Sequence, residues 1–110
     1  MFGNKLLKID RLVEKKKGDA LAPLGLDKKQ EVRLKAIQGM GQVGGESCYN
    51  MLVTCLRDAD PMVRSAAAAA LSQMGNPRAR GHIEHQLKAE TDPQVRDNMK
   101  AALGRIHGGD

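Results

Sequence analysis

Apolar residues recur along the chain with the spacing of an α-helix, and the same pattern returns three times. A Val-Arg dipeptide marks each copy, and its valines are Val32, Val63 and Val95. The period is roughly 31 residues, within the range of helical repeat proteins. After each valine, positions +4, +7, +8 and +11 hold an apolar residue or glycine. This spacing defines one face of an amphipathic helix. Each copy is therefore predicted to begin with a helix of about four turns.

A second helix is predicted in the first two copies. Leu52 and Leu56 stand at positions +20 and +24 from the valine of their copy, and Ile83 and Leu87 hold the same places in the next. Gly-Gly or Gly-Asn-Pro separates the two helices, and Asp-Pro precedes the second and third valines. Glycine favours the end of a helix, and aspartate followed by proline favours a start. The chain is therefore predicted to form antiparallel helix pairs.

An earlier, divergent copy precedes these. Leu21 lies one period before Leu52, so residues 19–27 are predicted to form a second helix, short or distorted because Pro23 interrupts it. Its first helix is predicted over residues 4–17. One face of that helix carries Leu6, Ile9 and Val13.

Three pairs and one unpaired helix predict an all-α fold of about seven helices in a single domain, 1–110. We divide it into a divergent repeat at 1–27, repeats at 28–58 and 59–90, and a half repeat at 91–110. The last helix has no second helix to cover its apolar side. Met99, Leu103 and Ile106 are therefore expected to form an exposed strip, which predicts either weak homo-oligomerisation or a longer natural chain.

The middle copy carries a known pattern. It reads Asp58-Ala-Asp-Pro-Met-Val-Arg64, then Ala67 and Leu71, then Gly75-Asn-Pro-Arg-Ala79 and Leu87. This resembles the HEAT-like repeats first noted in phycocyanobilin lyase subunits, and the resemblance is good over residues 19–107 and weak over 1–18. It implies a right-handed α-α superhelix, a short solenoid of helix pairs whose second helices line the concave side.

Each arginine of the repeated dipeptide has an acidic residue six positions before it. This resembles the ladder of acids and arginines that pins neighbouring HEAT repeats together, which implies a structural role for the set. Its members are Asp27, Arg33, Asp58, Arg64, Glu90 and Arg96.

The second helices offer a candidate partner-binding surface. Rows one period apart lie opposite the apolar positions of these helices, and they combine an aromatic, an aliphatic and several charged residues. Tyrosine buries area while keeping a polar hydroxyl, so it is the expected centre of such a surface. The rows pair Tyr49 with Arg80, Val53 with Glu84 and Arg57 with Lys88.

The charge is uneven and raises an alternative. Residues 1–40 hold ten Lys or Arg and five Asp or Glu, whereas residues 41–110 hold eight of each. The most basic feature combines Lys15, Lys16 and Lys17 with Lys28 and Lys29. Clustered cations suit a phosphate backbone or an acidic protein, and they also occur on ordinary solvated surfaces.

No catalytic set, metal site or cofactor site is predicted. His82 and His85 share a helix face but lack a third ligand at a matching spacing. Cys48 and Cys55 are too far apart along a helix for a disulfide. No signal peptide or membrane span is recognised, which predicts a cytoplasmic protein with no membrane partner.

The favoured interpretation is a non-catalytic module or scaffold that binds another protein, because stacked helix pairs present an extended surface. Two alternatives remain open. One is a nucleic-acid-binding domain that uses the basic N-terminal end, and the other is a subunit of a chromophore lyase. The pattern names neither the partner nor the pathway.

Overall fold

The computed structural model describes residues 4–107, and within them the chain is entirely helical. The all-α solenoid fold predicted from the repeat is confirmed. These residues form seven α-helices and one 3₁₀ segment. The helices are α1 (Lys5–Glu14), α2 (Gly18–Leu21), α3 (Gln30–Val43), α4 (Glu46–Cys55), α5 (Pro61–Met74), α6 (Ala79–Ala89) and α7 (Pro93–Arg105), with the 3₁₀ segment (Ala22–Leu26) between α2 and α3.

The helix starts follow from local capping chemistry. The Asp60 side chain accepts the Met62 amide at the start of α5, and Asp92 does the same for Gln94 at the start of α7. A proline follows each aspartate as the first helical residue, where its missing N–H costs nothing. Asn4 caps α1 in the same way.

The first pair departs from the regular pattern, as Pro23 predicts. Its second helix is divided into α2 and the 3₁₀ segment, which contains the proline. A proline ring prevents the regular α-helical hydrogen bond at its own nitrogen, so the chain continues as a tighter turn.

The helices form two layers around one core. The first helices α1, α3, α5 and α7 stack side by side, and the second helices α2, α4 and α6 with the 3₁₀ segment form the other layer. The first layer is the tighter one, because small residues line its contacts. A Cβ added to Gly41 of α3 would lie only 3.2 Å from the Cα of Ala70 in α5. The α4 and α6 backbones do not approach so closely, and side chains fill the space between them.

The prediction of an exposed apolar strip on α7 is wrong. Met99 and Ile106 are buried and Leu103 is half-buried, because α7 packs against both α5 and α6. Arg80 closes this end by donating to the carbonyls of Leu103 and Ile106, at 2.8 and 2.7 Å. Because the apolar stripe of α7 is narrow, α5 and α6 together cover it. The proposed route to self-association through the C-terminal helix therefore loses its basis.

The loops lie alternately at two edges of the stack. One edge collects the connections from first to second helices, at 15–17, 44–45 and 75–78, and we call it the glycine edge. The other collects the connections at 27–29, 56–60 and 90–92, and we call it the ladder edge. No helix in residues 4–107 has the length and apolarity needed to cross a membrane.

Candidate binding surfaces

The ladder residues do meet at one edge, but the pairing differs from the spacing noted in the sequence. Arg64 makes two hydrogen bonds to the Glu90 carboxylate, at 2.7 and 2.8 Å. Arg33 lies 3.2 Å from the Asp58 carboxylate. Each carboxylate thus pairs with the arginine at the start of the helix pair before it rather than with the arginine six positions later.

The acid six positions before each arginine contributes its backbone carbonyl instead. Nη1 of Arg33 donates to the Asp27 carbonyl at 3.0 Å, and Nη1 of Arg64 donates to the Asp58 carbonyl at 2.9 Å. Arg96 binds the Glu90 carbonyl at 3.1 Å in the same way. Arg33 and Arg64 each therefore connect the loop before their own helix with the loop after their helix pair.

Lys5 occupies the corresponding place in the first repeat. Its Nζ lies 2.6 Å from Oδ1 of Asp27. This hydrogen bond lowers the pKa of Asp27, and the bonds from Arg64 lower the pKa of Glu90 from its ordinary value of 4.5. Burial of Glu90 opposes that shift, but the paired guanidinium outweighs it. The ladder is thus an electrostatically satisfied edge rather than an open ligand site.

The prediction of an exposed Tyr49 is wrong. Tyr49 is only 2% exposed and belongs to the core. The Arg78 guanidinium covers its ring at 4.6 Å from the centroid, and the His82 ring packs edge-on at 6.3 Å. The cause is visible in the spacing: Tyr49 lies three positions before Leu52, on the same face of α4. An aromatic at that position fills the gap between α4 and α6.

The other members of the predicted rows divide into two groups. Arg57, Glu84 and Lys88 are exposed. Arg80 is engaged with the end of α7 and lies 3.7 Å from Glu84. Val53 is half-buried against the core. The second-helix layer therefore presents a polar row without the aromatic centre that the sequence suggested.

A shallow groove beside α4 provides an apolar surface that the sequence reasoning missed. It has a volume of about 450 Å³ and lies between the 3₁₀ segment and α4. Its apolar lining residues are Ala22, Pro23, Leu26 and Met51, and its polar lining residues are Asp19, Ser47, Asn50 and Thr54. Leu26 is 59% exposed, one of three large apolar side chains left so open within residues 4–107. We call this surface the Leu26 groove.

The distortion of the first pair explains the groove. A regular second helix would continue its apolar face into the layer, but the chain turns through the 3₁₀ segment at Pro23. Leu21 and Ala22 remain buried, whereas Leu26 points out of the core. Pro23 was the available signal, since a broken helix cannot bury all its apolar residues in one stripe.

The predicted basic cluster is divided between the two edges. Lys16 and Lys17 lie beside Gly44 and Gly45 at the glycine edge. Lys28 and Lys29 follow Asp27 at the ladder edge, close to Lys5 at the opposite end of α1. The ten residues of α1 separate them by about 15 Å. The five lysines therefore do not form a single patch.

Two further cations lie between these lysines on α1. Lys8 and Arg11 are exposed, and with Lys15 they occupy positions i, i+3 and i+7 of one helix face. Within residues 4–107 none of the three forms an ion pair, whereas Asp10 on the neighbouring face pairs with Lys35 at 3.0 Å. We call Lys8, Arg11 and Lys15 the α1 cationic face.

The cysteines and histidines do not assemble a reactive centre in the described part of the chain. The thiols of Cys48 and Cys55 are buried and lie 3.8 and 3.5 Å from the carbonyls of Gly18 and Gly25. Burial raises the pKa of Cys55 to about 11, which disfavours the reactive thiolate. No group of three His, Cys, Asp or Glu side chains in residues 4–107 is placed to hold a metal ion.

Comparison with known proteins agrees with the geometry. The family model described as HEAT repeats matches residues 19–104. No curated protein matches the chain. A crystal structure of epoxyqueuosine reductase with a tRNA-Tyr epoxyqueuosine-modified tRNA stem loop is similar in fold, with a TM-score of 0.70 and 19% sequence identity. The similarity covers 78% of this chain and 28% of that chain, and at this identity it shows the fold alone.

Proposed function

The chain belongs to the HEAT repeat family, and from that premise we propose that it is a non-catalytic module that binds another protein through its second-helix layer. The partner segment inserts an apolar side chain into the Leu26 groove and makes polar contacts along its rim. The exposure of Leu26 in this groove is the observation that carries the proposal.

The composition of the groove supports a protein ligand. An apolar floor with a polar rim is the usual anatomy of a protein–protein interface. Pro23 and Met51 offer a surface that an inserted aliphatic or aromatic side chain can cover, while Asn50 and Thr54 supply hydrogen-bonding groups beside it. Methionine adapts its shape to different partners at low cost.

The rest of the second-helix layer extends the contact. Arg57 lies in the turn that follows α4, and Glu84 and Lys88 lie on α6. All three are exposed, so they form the polar periphery of an interface centred on Leu26 rather than on Tyr49. Peripheral charges of this kind influence association rate and salt dependence more than affinity.

The interface can be mapped with a photo-crosslinking residue at position 26 and a second one at position 62. Met62 is the matched control because it is 60% exposed on α5, in the other layer. The protein captured from position 26 but not from position 62 is then purified. Its affinity is measured for the wild type, Leu26→Asp and Met62→Asp.

We expect Leu26→Asp to weaken binding by about tenfold or more, since a buried charge replaces the anchoring contact. Met62→Asp should leave the affinity unchanged. Thermal melting should show both variants folded, because both side chains are already exposed. Equal loss in the two variants, or no loss in either, would reject the groove as the binding site.

A further inference from the structure

The α1 cationic face is exceptional among the charged residues of this chain. Elsewhere most acids neutralise a nearby cation: Glu46 lies 3.4 Å from Arg78, and Asp58 and Glu90 pair with ladder arginines. Arg57, Lys88 and Lys100 are exposed and also lack ion pairs within residues 4–107, but they belong to different elements. Arg57 and Lys88 are neighbours in one row of the second-helix layer, whereas on α1 three such cations lie on a single helix face.

The acidic side chains around this face either form an ion pair with another cation or lie at the border of the face. Asp27 is paired with Lys5, and Asp10 is paired with Lys35. Glu14 is exposed, at the border of the face next to Leu7. The positive charge of Lys8, Arg11 and Lys15 is therefore largely uncompensated by the protein.

Further cations extend the face at both ends. Lys16 and Lys17 follow Lys15 at the glycine edge, and Lys28 and Lys29 lie near the start of α1 at the ladder edge. Lys8 and Lys15 are about 10 Å apart along the helix axis, a distance that spans two to three phosphates of one strand. The arrangement is a line of cations rather than a pocket.

We propose that the α1 cationic face binds the phosphate backbone of a nucleic-acid duplex, independently of base sequence. A duplex displays its phosphates on the outside with its bases stacked within, so a row of flexible cations on a convex helix can reach them. Tyr49, the one Phe, Tyr or Trp residue among residues 4–107, is buried and offers no surface for stacking unpaired bases. This surface is distinct from the Leu26 groove.

The test compares two triple variants that remove the same charge. The first is Lys8→Gln, Arg11→Gln and Lys15→Gln, and the second is Arg57→Gln, Lys88→Gln and Lys100→Gln. Binding of a short fluorescent RNA duplex and a DNA duplex is measured by anisotropy at several salt concentrations, with polyglutamate as a competitor.

The wild type should bind duplexes with a slope of log affinity against log salt of about −3, from roughly three phosphate contacts. The α1 variant should lose most of this slope and at least tenfold in affinity at low salt, and the control variant should keep both. Equal losses in the two variants would overturn the proposal, because binding would then depend on net charge alone. Polyglutamate competing as strongly as duplex at equal charge would assign the face to acidic proteins instead. Leu26→Asp should bind duplex normally, which separates this result from the protein-binding proposal.

Discussion

The ladder edge and the glycine edge connect the same helices but hold neighbouring repeats together in different ways. At the ladder edge an acidic side chain accepts the backbone amide two positions later and also binds the arginine at the start of the preceding helix pair; Glu90 does both. At the glycine edge the turns depend on Gly44, Gly45 and Gly75, whose φ values are positive. Cross-repeat contacts there are exposed, as with Arg78 and Glu46.

This difference indicates which edge determines the position of one repeat relative to the next. Arg64 fixes the position of one loop relative to the next through a largely desolvated carboxylate, with the Glu90 side chain 3% exposed. Removal of one partner from such a pair leaves a charge that water cannot fully solvate. The glycines fix only the local direction of the chain. The ladder edge should therefore dominate the coupling between repeats.

Arg64→Ala is expected to have the largest effect, a loss of about 3 kcal/mol in the free energy of unfolding. It removes two hydrogen bonds to Glu90 and one each to the Asp58 and Ala59 carbonyls. Urea denaturation followed by circular dichroism measures the loss. Lys100→Ala, an exposed cation on the neighbouring α7, is the control and should cost little. A small loss for Arg64→Ala with normal folding would show that the ladder is not structural.

The next largest predicted effect is the pH dependence of the stability that the Arg64–Glu90 pair contributes. Glu90 has a lower pKa in the folded chain than its ordinary value of 4.5, so its stabilisation is complete above that value. It is lost as the pH falls through the lowered pKa. Glu90→Gln should therefore be less stable than the wild type at neutral pH, by about 1–2 kcal/mol.

That difference should shrink as the pH is lowered below the ordinary value of 4.5, since the unfolded wild-type chain then binds a proton that the folded, lowered-pKa carboxylate resists. Urea midpoints for both proteins at each pH measure it, and the other carboxylates cancel in the comparison. A stability difference independent of pH would mean that the Glu90 charge is not what stabilises this edge.

Much of the fold was predictable because its signals are local. Asp60 and Asp92 indicate helix starts because their side chains accept backbone amides only a few positions later. Val63 begins an apolar face that lies within a single helix. Such features need no knowledge of the rest of the chain. The break at Pro23 was predictable for the same reason.

The ladder pairing was not predictable from spacing alone. Arg33 has Asp27 in the loop before its own helix and Asp58 in the loop after its helix pair, so the sequence offers it two carboxylates. The packing of one repeat on the next places the second carboxylate within reach of the guanidinium. The choice between them is a property of tertiary geometry.

The candidate surfaces were predicted less well than the fold. Tyr49 was assigned outward by its alignment with Arg80, although its spacing from Leu52 already places it on the buried face. Lys8 and Arg11 lie outside the runs of lysine that define the predicted basic cluster, and only their spacing along a helix groups them. A helical projection of α1 would have grouped them with Lys15.

The smallest predicted effect tests the other side of the comparison, the ion pair of Arg78 and Glu46 at the glycine edge. Their side chains are 60% and 64% exposed, and the charged atoms lie 3.4 Å apart. Water solvates both charges in either state, so a double-mutant cycle with Glu46→Ala and Arg78→Ala should give a coupling close to zero. The cycle is needed because Arg78 also covers Tyr49, and the single substitution alone would include that contact. High salt should abolish this coupling while leaving most of the Arg64–Glu90 coupling, measured by the same method. Equal couplings at the two edges, with equal salt dependence, would mean that burial of the carboxylate does not distinguish them.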